Sequence, residues 1–302
     1  STSVSLFRNK FLGDYTVHQP SKEALIEIFK AYYGGRTEAF KRGVFENVNY
    51  YDFNSLYPSV MHDNKYPDPN SMHTVHADTT WYIRTFEGVS HVDITIPECH
   101  VPPLPVRLDD GKVIFPTGRL RGWYTHVELN TALRDGAVIT RVHKTIYYTR
   151  TVRPFKEFVS TLYNLRQEYK REGNPMEIVT KLFMNSLYGK FGEKFIDKDT
   201  TVHVDTLSAD DFKNMTSFER IGSYITTRED REPKAHCIPI WAVYVTAYGR
   251  LKMYETLRDH DPIYCDTDSI ITRDDLPTST SLGRLKLEMT VRHGITARPK
   301  FY

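Results

Sequence analysis

Apolar residues recur at helical spacing in several stretches of the chain. The spacing predicts a short helix over 21–32, in which Ser21 caps the first turn, and another helix over 124–135. Residues 153–190 predict two helices with a proline in the first turn of each, and we expect an antiparallel hairpin because the link between them is short. Residues 240–259 predict a further helix.

Strand-forming residues dominate the remaining parts of the chain. The run "NVNYYDF" over 47–53 predicts a strand, and we expect "SLYPSVM", with Pro58 as a breaker, to end it. Short runs separated by Pro, Gly and Asp predict a β-rich region over 62–120, with "TWYIRTF" at 80–86 among its strands. The pattern "VITRVHKTIYYT" predicts one more strand, and a weakly patterned segment over 195–240 leans towards β structure. The end of the chain predicts no clear element.

The composition is that of an ordinary globular protein. Its 302 residues are 40% hydrophobic and 26% charged, which suffices for a large core. We expect no signal peptide and no membrane span, and therefore a cytoplasmic protein of a bacterium, an archaeon or a virus-infected host. Three scattered cysteines form neither a disulfide framework nor a zinc motif. Because the net charge is only +2, any contact with a polyanion must come from local clusters.

Three aspartates stand at the ends of strand-forming runs. Asp52 ends the run over 47–53, and Asp266 and Asp268 are one residue apart in "PIYCDTDSII". Each of them alone fits an exposed turn. Taken together, two carboxylate sites far apart in sequence can meet at one edge of a sheet, where their oxygens suit Mg²⁺. Two such ions assist displacement at phosphorus.

The predicted helix hairpin carries matching cations. On its first helix Arg166 and Lys170 stand one turn apart, and on its second helix Lys181, Asn185 and Tyr188 share one stripe. If the hairpin folds as predicted, the three cations line one phosphate-binding surface, and the alternative is an exposed, salt-bridged face. We expect the other side of the second helix to pack through Val179, Leu182, Phe183 and Ser186.

Five motifs in this chain resemble those of family B DNA polymerases. "DFNSLYPS" at 52–59, "KLFMNSLYG" at 181–189 and "YCDTDS" at 264–269 resemble motifs A, B and C, in that order. "YYGG" at 32–35 resembles the Y-x-G-G element, and "KFY" at 300–302 resembles the K-x-Y element. The resemblance implies an α+β right-hand polymerase core, with an antiparallel palm sheet, helices packed on it, a two-helix fingers hairpin and no complete thumb.

The resemblance also implies a role for each matching residue. Asp52 and Asp268 would hold two Mg²⁺ ions, or Mn²⁺ in their place, with the Phe53 carbonyl, and Asp266 would support them. Tyr57 would exclude a ribose 2′-OH by steric clash. The incoming dNTP would also be bound by Ser55, Leu56, Arg166, Lys170, Lys181, Asn185 and Tyr188. DNA would be contacted by Tyr32, Gly34, Gly35, Gly189, Thr267, Lys300 and Tyr302.

The intervals between the motifs resemble those of the protein-primed branch, found in phages, adenoviruses and linear plasmids. That branch carries insertions that contact a terminal protein and DNA, and 62–150 and 192–235 are the candidates here. The division this implies is an N-terminal segment with Y-x-G-G (1–48), palm with motif A (49–61), a β-rich insertion and palm (62–152), fingers (153–190), a second insertion-like segment (191–240), and palm with motif C to the start of the thumb (241–302).

The expected function is template-directed DNA synthesis on a primer. The expected partners are primer–template DNA, dNTPs and a terminal protein primer, with no membrane. Few residues precede Asp52, so we expect neither a 3′–5′ exonuclease nor proofreading in this chain, which is either a fragment of a longer polymerase or a minimal form. Two alternatives stay open: a primer-independent polymerase–primase, and a catalytically weak nucleic-acid-binding core.

Overall fold

The computed structural model describes residues 2–193, 198–214, 218–229 and 236–296. The α-helices of these residues are α1 (Thr2–Phe7), α2 (Lys22–Lys30), α3 (Leu56–Asp63), α4 (Trp81–Thr85), α5 (His126–Arg134), α6 (Lys156–Glu172), α7 (Met176–Phe191), α8 (Ala209–Asn214) and α9 (Pro239–Arg258). The strands are β1 (Thr37–Ala39), β2 (Gly43–Phe53), β3 (Tyr66–Pro67), β4 (Met72–Val75), β5 (Glu87–Ile96), β6 (Val106–Arg107), β7 (Val113–Ile114), β8 (Gly118–Thr125), β9 (Val138–Tyr148), β10 (Thr151–Val152), β11 (Lys198–His203), β12 (Phe218–Ile221), β13 (Tyr224–Glu229), β14 (Pro262–Asp266), β15 (Ser269–Thr272) and β16 (Leu285–Thr296).

The chain divides into two compact units. The first comprises residues 1–192 and 238–302, and the second comprises residues 193–237. Within the second unit, β13 lies between β11 and β12 in an antiparallel sheet. The β-leaning pattern over 195–240 therefore corresponds to strands.

A five-stranded antiparallel sheet organises the first unit, in the order β1-β14-β15-β2-β16. Apolar residues on one face of this sheet, such as Tyr51 and Ile270, pack against Met253 and Leu257 of α9. Because side chains alternate along a strand, neighbours such as Val48 point to the other face, where an apolar cleft of about 480 Å³ opens. This palm sheet with its packed helices confirms the predicted α+β class.

The helix hairpin is anchored by an aromatic cluster. The helices α6 and α7 pack against each other across a link in which Gly173 adopts the left-handed conformation with φ of 66°. Phe155 and Phe158 at the start of α6 and Phe191 at the end of α7 are buried against Trp241 of α9 and Phe7 of α1. The base of the hairpin is thus fixed to the sheet through α9.

A second antiparallel sheet, in the order β4-β9-β5-β8, lies beside the helices. Leu129 and Ala132 of α5 pack on Val92, Ile94 and Val142 of this sheet. Thr125 accepts a hydrogen bond from the Glu128 backbone N–H and so caps α5. None of the helices in the described parts of the chain is long and apolar enough to cross a membrane.

Three local predictions were wrong. The strand ends at Phe53 as predicted, but Pro58 is not its breaker: it lies in the first turn of α3, where its missing N–H would have no helical partner. The run over 80–86 contains the helix α4 (Trp81–Thr85) rather than a strand, because burial of Ile83 in the core under α5 outweighs the strand preference of its neighbours. The prolines of the hairpin precede the helices: Pro154 lies two residues before α6 and Pro175 immediately before α7.

Two further predictions were incomplete: the one for the end of the chain and the one for the buried face of α7. The end of the described chain forms β16, a long strand that pairs with β2 along nearly its whole length. In α7, the buried residues are Thr180, Met184, Leu187 and Phe191, and Phe183, which we expected to pack, lies partly buried against the same core. Leu182, which we expected to pack, is 62% exposed. The error arose because the apolar residues surround α7, so that spacing alone did not select its buried face.

Candidate active site

Two of the predicted carboxylates are brought together by the pairing of β2 with β15. Asp52 lies opposite Ser269 in this ladder, next to Asp268. The Phe53 backbone N–H donates to the Asp268 carbonyl at 2.8 Å. The two aspartates therefore sit at the same end of adjacent strands, in the centre of the palm sheet.

A tight turn between β14 and β15 carries Asp266, Thr267 and Asp268. Thr267 has a φ of 57°, which is unusual for a β-branched residue. Its backbone N–H donates to the Arg36 carbonyl at 2.7 Å. A Cβ on Gly35 would lie 2.7 Å from the Thr267 Cγ2. The loop that contains Gly35 thus holds the turn, and this position requires glycine because the Thr267 side chain lies too close for a Cβ.

Asp266 makes hydrogen bonds to Thr37 and Thr267, beside the Asp52–Asp268 pair. Its carboxylate accepts hydrogen bonds from the hydroxyls of Thr37, at 2.9 Å, and Thr267, at 3.1 Å. Thr37 is also its partner across the β1–β14 ladder. Asp266 is therefore bound to the neighbouring strand, in a position to brace the turn.

The environment of Asp52 disfavours its charged form. Burial, together with the negative charges of Asp268 and Glu288, raises the pKa of Asp52 to about 6, although Lys286 and Lys181 act in the opposite direction. Two half-buried carboxylates that repel each other in this way suit a bound cation. A cation bound between Asp52 and Asp268 would relieve this repulsion and stabilise both carboxylates in their charged form.

A cavity of about 300 Å³ opens at this point. Most of the residues predicted for catalysis and nucleotide binding line it together: Asp52, Phe53, Ser55, Leu56, Tyr57, Arg166, Lys170, Lys181, Asn185 and Asp268. The palm thus supplies the carboxylates and the helix hairpin the cations of one polar cavity. Such a cavity can hold a polyphosphate between cations and a metal-binding edge.

Tyr57 lines the cavity and packs against Tyr188, which does not itself line the cavity. Their ring centroids lie 4.6 Å apart. Behind Tyr57, a Cβ on Gly249 would come within 2.9 Å of the ring, so the glycine of α9 leaves room for it. Burial raises the pKa of Tyr57 to about 12, so its hydroxyl stays protonated at neutral pH. The ring of Tyr57 is thus held from two sides against the cavity.

The Y-x-G-G loop reaches the aspartate turn rather than the cavity itself. Arg250 of α9, whose side chain is buried, donates to the carbonyls of Tyr33 and Gly34 at 2.7 and 3.0 Å. Gly34 is exposed, whereas Gly35 contacts Thr267. Tyr32 packs at the edge of the main core. This loop therefore connects a fixed helix to the turn that carries Asp268.

Of the three remaining predicted DNA-binding residues, Gly189 belongs to the described part of the chain and does not line the cavity. Gly189 is exposed on α7, with no atom within 4 Å of the position that a Cβ would occupy. Lys300 and Tyr302 lie outside the described residues.

The residues present fit a metal of the Mg²⁺ type. The described parts of the chain contain no cluster of three or more His, Cys, Asp or Glu side chains suited to a metal. The cavity instead offers a pair of carboxylates, those of Asp52 and Asp268, with Phe53 beside them. Mg²⁺ commonly binds in this way, through one or two carboxylates, while waters and substrate phosphates complete its coordination.

Comparison with known proteins identifies the family. The sequence profile described as DNA polymerase type B, organellar and viral, matches residues 1–273. The chain belongs to this family of DNA polymerases. The family that the five motifs suggested is thereby confirmed.

Relatives of this type B polymerase chain occur in fungi and phages. It is 29% identical to a probable DNA polymerase of Ascobolus immersus over 100% of its own length and 26% of the relative's. It is 27% identical to the DNA-directed DNA polymerase of Enterobacteria phage PRD1, over 96% of its length and 52% of the relative's. The polymerase chain thus spans between about a quarter and a half of these relatives.

Solved structures share its fold. The structure titled "Phi29 DNA Polymerase, orthorhombic crystal form" superposes with a TM-score of 0.77 at 20% identity, over 99% of this chain and 53% of that one. The Phi29 polymerase complexed with primer-template DNA and incoming nucleotide substrates gives a TM-score of 0.73 at 20% identity, over 99% and 54%. These superpositions show the shared fold, and the organellar and viral family together with the phage PRD1 relative agrees with the branch that the motif spacing indicated.

Several lining residues of the polymerase cavity were not predicted from the sequence: Asn54, Tyr163, Gln167, Thr280, Lys286 and Glu288. Lys286 and Glu288 form an ion pair at 2.6 Å on β16. The alternation of polar and apolar residues in "LKLEMTV" was a strand signal that could have found both. The buried Arg250–Glu128 pair behind the Y-x-G-G loop, at 2.8 Å, left no such signal, because it joins two separate helices.

Proposed function

We propose that this chain forms the nucleotidyl-transfer core of a template-directed DNA polymerase that replicates a virus or a mobile element. The observation that carries the proposal is the single cavity lined by Asp52, Asp268, the hairpin cations and Tyr57. A structural neighbour solved with primer-template DNA and incoming nucleotides supports these as the ligands. The reaction joins the primer 3′-oxygen to the α-phosphorus of a dNTP, breaks the bond to the β-phosphate oxygen, and releases pyrophosphate and the hydroxyl proton.

The palm residues would hold the cofactor. Asp52, Asp268 and the Phe53 carbonyl would bind two Mg²⁺ ions, or Mn²⁺, with Asp266 bracing the turn. When bound, such ions activate the attacking oxygen and neutralise the leaving pyrophosphate. The chain itself fixes where this happens, since the Phe53–Asp268 backbone bond sets the spacing of the two strands before any ligand arrives.

The hairpin residues would align the nucleotide. Arg166, Lys170 and Lys181 would hold the triphosphate, and Ser55 and Leu56 would contact it through the turn before α3. Tyr57 would close the space that a ribose 2′-OH needs, supported by Tyr188, and Asn185 would contact the nascent base pair.

The strand contacts would flank this centre. Tyr32, Gly34 and Gly35 would meet the template, Gly189 and Thr267 would lie along the nascent pair and the primer, and Lys300 and Tyr302 would hold the primer terminus. Residues 62–150 and 192–235 would contact a terminal protein that supplies the primer. No observation favours the polymerase–primase or the binding-only alternative over primer extension.

The test is extension of a labelled primer–template by the chain and by its Asp268→Ala variant, with Mg²⁺ and dNTPs at low salt. We expect extension by the native chain and a loss of at least roughly 10³-fold in the variant, because a charge-stabilising ligand is removed. Synthesis on an unprimed template would favour the primase alternative. A folded chain that binds neither dNTP nor DNA would refute the proposal.

A further inference from the structure

Arg166, one of the cavity cations, is already held by a carboxylate of this chain. Glu177, in the first turn of α7, accepts hydrogen bonds from the Arg166 Nε at 2.8 Å and Nη2 at 2.7 Å. The side chains of Arg166 and Glu177 are only 17% and 23% exposed. The pair joins the two helices of the hairpin at the cavity wall.

The pairing restricts how Arg166 can bind a phosphate. The edge formed by Nε and Nη2 faces Glu177, and Nη1 lies 3.4 Å from the Ser55 hydroxyl. An arginine binds phosphate best when it presents two parallel N–H groups to it. While the pair persists, one such edge of the guanidinium is taken.

Glu177 also changes the charge of the cavity. The charged side chains that line it are four cations and three carboxylates: Arg166, Lys170, Lys181, Lys286, Asp52, Asp268 and Glu288. Glu177 adds a fourth carboxylate beside them, so the set is formally balanced. A balanced site attracts a highly charged triphosphate weakly until divalent cations arrive.

A glutamate in the first turn of a helix is ordinary, because it favours the positive end of the helix dipole. An exposed carboxylate would interact with the helix dipole equally well, without any contact with another helix. The half-buried contact with Arg166 is the additional observation, and it points towards the nucleotide site.

We propose that Glu177 is a specificity-determining residue that weakens the binding of metal-free triphosphate and pyrophosphate by occupying Arg166. Nucleotide binding then depends on the divalent cations that accompany the productive substrate. Released pyrophosphate is held less tightly for the same reason. This inference rests on the proposed function, since it concerns the same cavity.

The test is equilibrium dialysis of radiolabelled dATP, and separately of inorganic pyrophosphate, against the native chain and Glu177→Gln, with EDTA or with Ca²⁺. With EDTA we expect both ligands to bind roughly threefold to tenfold more tightly to the variant at low salt, because one half-buried negative charge is removed. The gain should shrink with Ca²⁺ and with added salt. Glu172→Gln removes the same charge from an exposed position at the end of α6 and should leave both affinities unchanged.

A purely structural role predicts the opposite result. If Glu177 only holds Arg166 in place, Glu177→Gln will bind dATP equally or more weakly in EDTA, and the inference fails. Arg166→Gln combined with Glu177→Gln should abolish the gain, and a gain that survives in the double variant would also overturn the proposal. If the native chain binds no dATP even with Ca²⁺, the proposed function fails first, so the two failures are distinguishable.

Discussion

The turn between Asp266 and Asp268 depends on a residue that rarely adopts its conformation. A non-glycine residue at positive φ costs about 1–2 kcal/mol, and Thr267 adopts this conformation in the present structure. Its bond to the Arg36 carbonyl and its packing on Gly35 offset that cost. The position of Asp268 is therefore set partly by the Y-x-G-G loop.

Gly35→Ala should destabilise the chain by about 1–2 kcal/mol, because the added methyl would overlap the Thr267 side chain. Thr267→Ser removes the Cγ2 that the added methyl would approach to 2.7 Å. The double variant should therefore regain part of the lost stability. Urea denaturation of the four proteins of this cycle measures the coupling. Gly34→Ala, where nothing lies within 4 Å of the added methyl, is the matched control for stability. Equal losses at both glycines would contradict the contact.

Tyr57→Ala should raise the ratio of rNTP to dNTP incorporation roughly tenfold to 200-fold, because the variant lacks the ring that would clash with a 2′-OH. The ratio of kcat/KM values for a matched rNTP and dNTP measures this. Tyr57→Phe keeps the ring against Tyr188 and should keep the discrimination. An unchanged ratio in Tyr57→Ala would remove this tyrosine from the sugar site.

The helix α7 presents different faces to the core and to the cavity. Leu187 is fully buried, whereas Leu182, five residues earlier and on another face, is 62% exposed. The same substitution at these two sites therefore tests the fold of the hairpin directly. Leu187→Ala should cost about 2–5 kcal/mol and Leu182→Ala less than about 0.5 kcal/mol in denaturant unfolding. Similar costs would mean that the hairpin is rotated about its axis.

The buried His126 at the start of α5 makes stability depend on pH. Its Nδ1 contacts the Phe86 carbonyl at 2.6 Å and its Nε2 contacts the Ser90 hydroxyl at 2.8 Å. Burial lowers the pKa of His126 from 6.5 to about 4. The unfolded chain therefore takes up a proton at higher pH than the folded chain, so stability is present above pH 6.5 and is lost as the pH falls towards 4.

We expect this one group to account for a loss of roughly 3 kcal/mol across that window. His126→Gln should be less stable at pH 7 but show a shallower loss on acidification, as measured by urea unfolding at several pH values. His18→Gln, at an exposed position, should retain the native slope. An unaltered slope in His126→Gln would show that other groups govern acid unfolding.

The elements that spacing predicted well are those with one apolar face or a long uniform run. The helices α5 and α9 and the strand β9 began and ended close to their predicted residues, whereas β2 ended at the predicted residue but began four residues earlier. The helix α4 was missed because packing of a single residue, Ile83, decided its conformation. The strand β16 was missed although its alternation was visible, since its partner β2 lies far away in sequence.

The cavity could be predicted as a set of residues but not as a charge pattern. The ordered motifs and the cations of the predicted helix hairpin together pointed to ten of its lining residues, because phosphoryl transfer needs carboxylates and cations of this kind. They did not reveal that Glu177 binds Arg166 or that Asp266 turns to Thr37. Those contacts depend on side-chain directions across separate elements, which no spacing rule supplies.

The two compact units suggest that the second can be removed. Phe191 and Ile238, at the borders of the first unit, are joined by a backbone hydrogen bond of 3.1 Å. A short glycine linker can therefore replace residues 193–237 without stretching the first unit. We expect the shortened chain to unfold cooperatively, with a Tm within about 5 °C of the native chain. Loss of a cooperative transition in calorimetry would show that the first unit depends on the second.

The backbone bond between Phe53 and Asp268 also bears on how the molecule folds. It joins strands from opposite ends of the described chain, so closing it requires a very long loop. Such non-local pairings form late, because the entropy of closing the long loop is lost before the contacts between the strands can stabilise the pair. A chain emerging from the ribosome would hold its first carboxylate strand unpaired until β15 is synthesised. The site is thus completed among the last steps of folding, and a partly folded chain lacks the paired carboxylates of the proposed metal site.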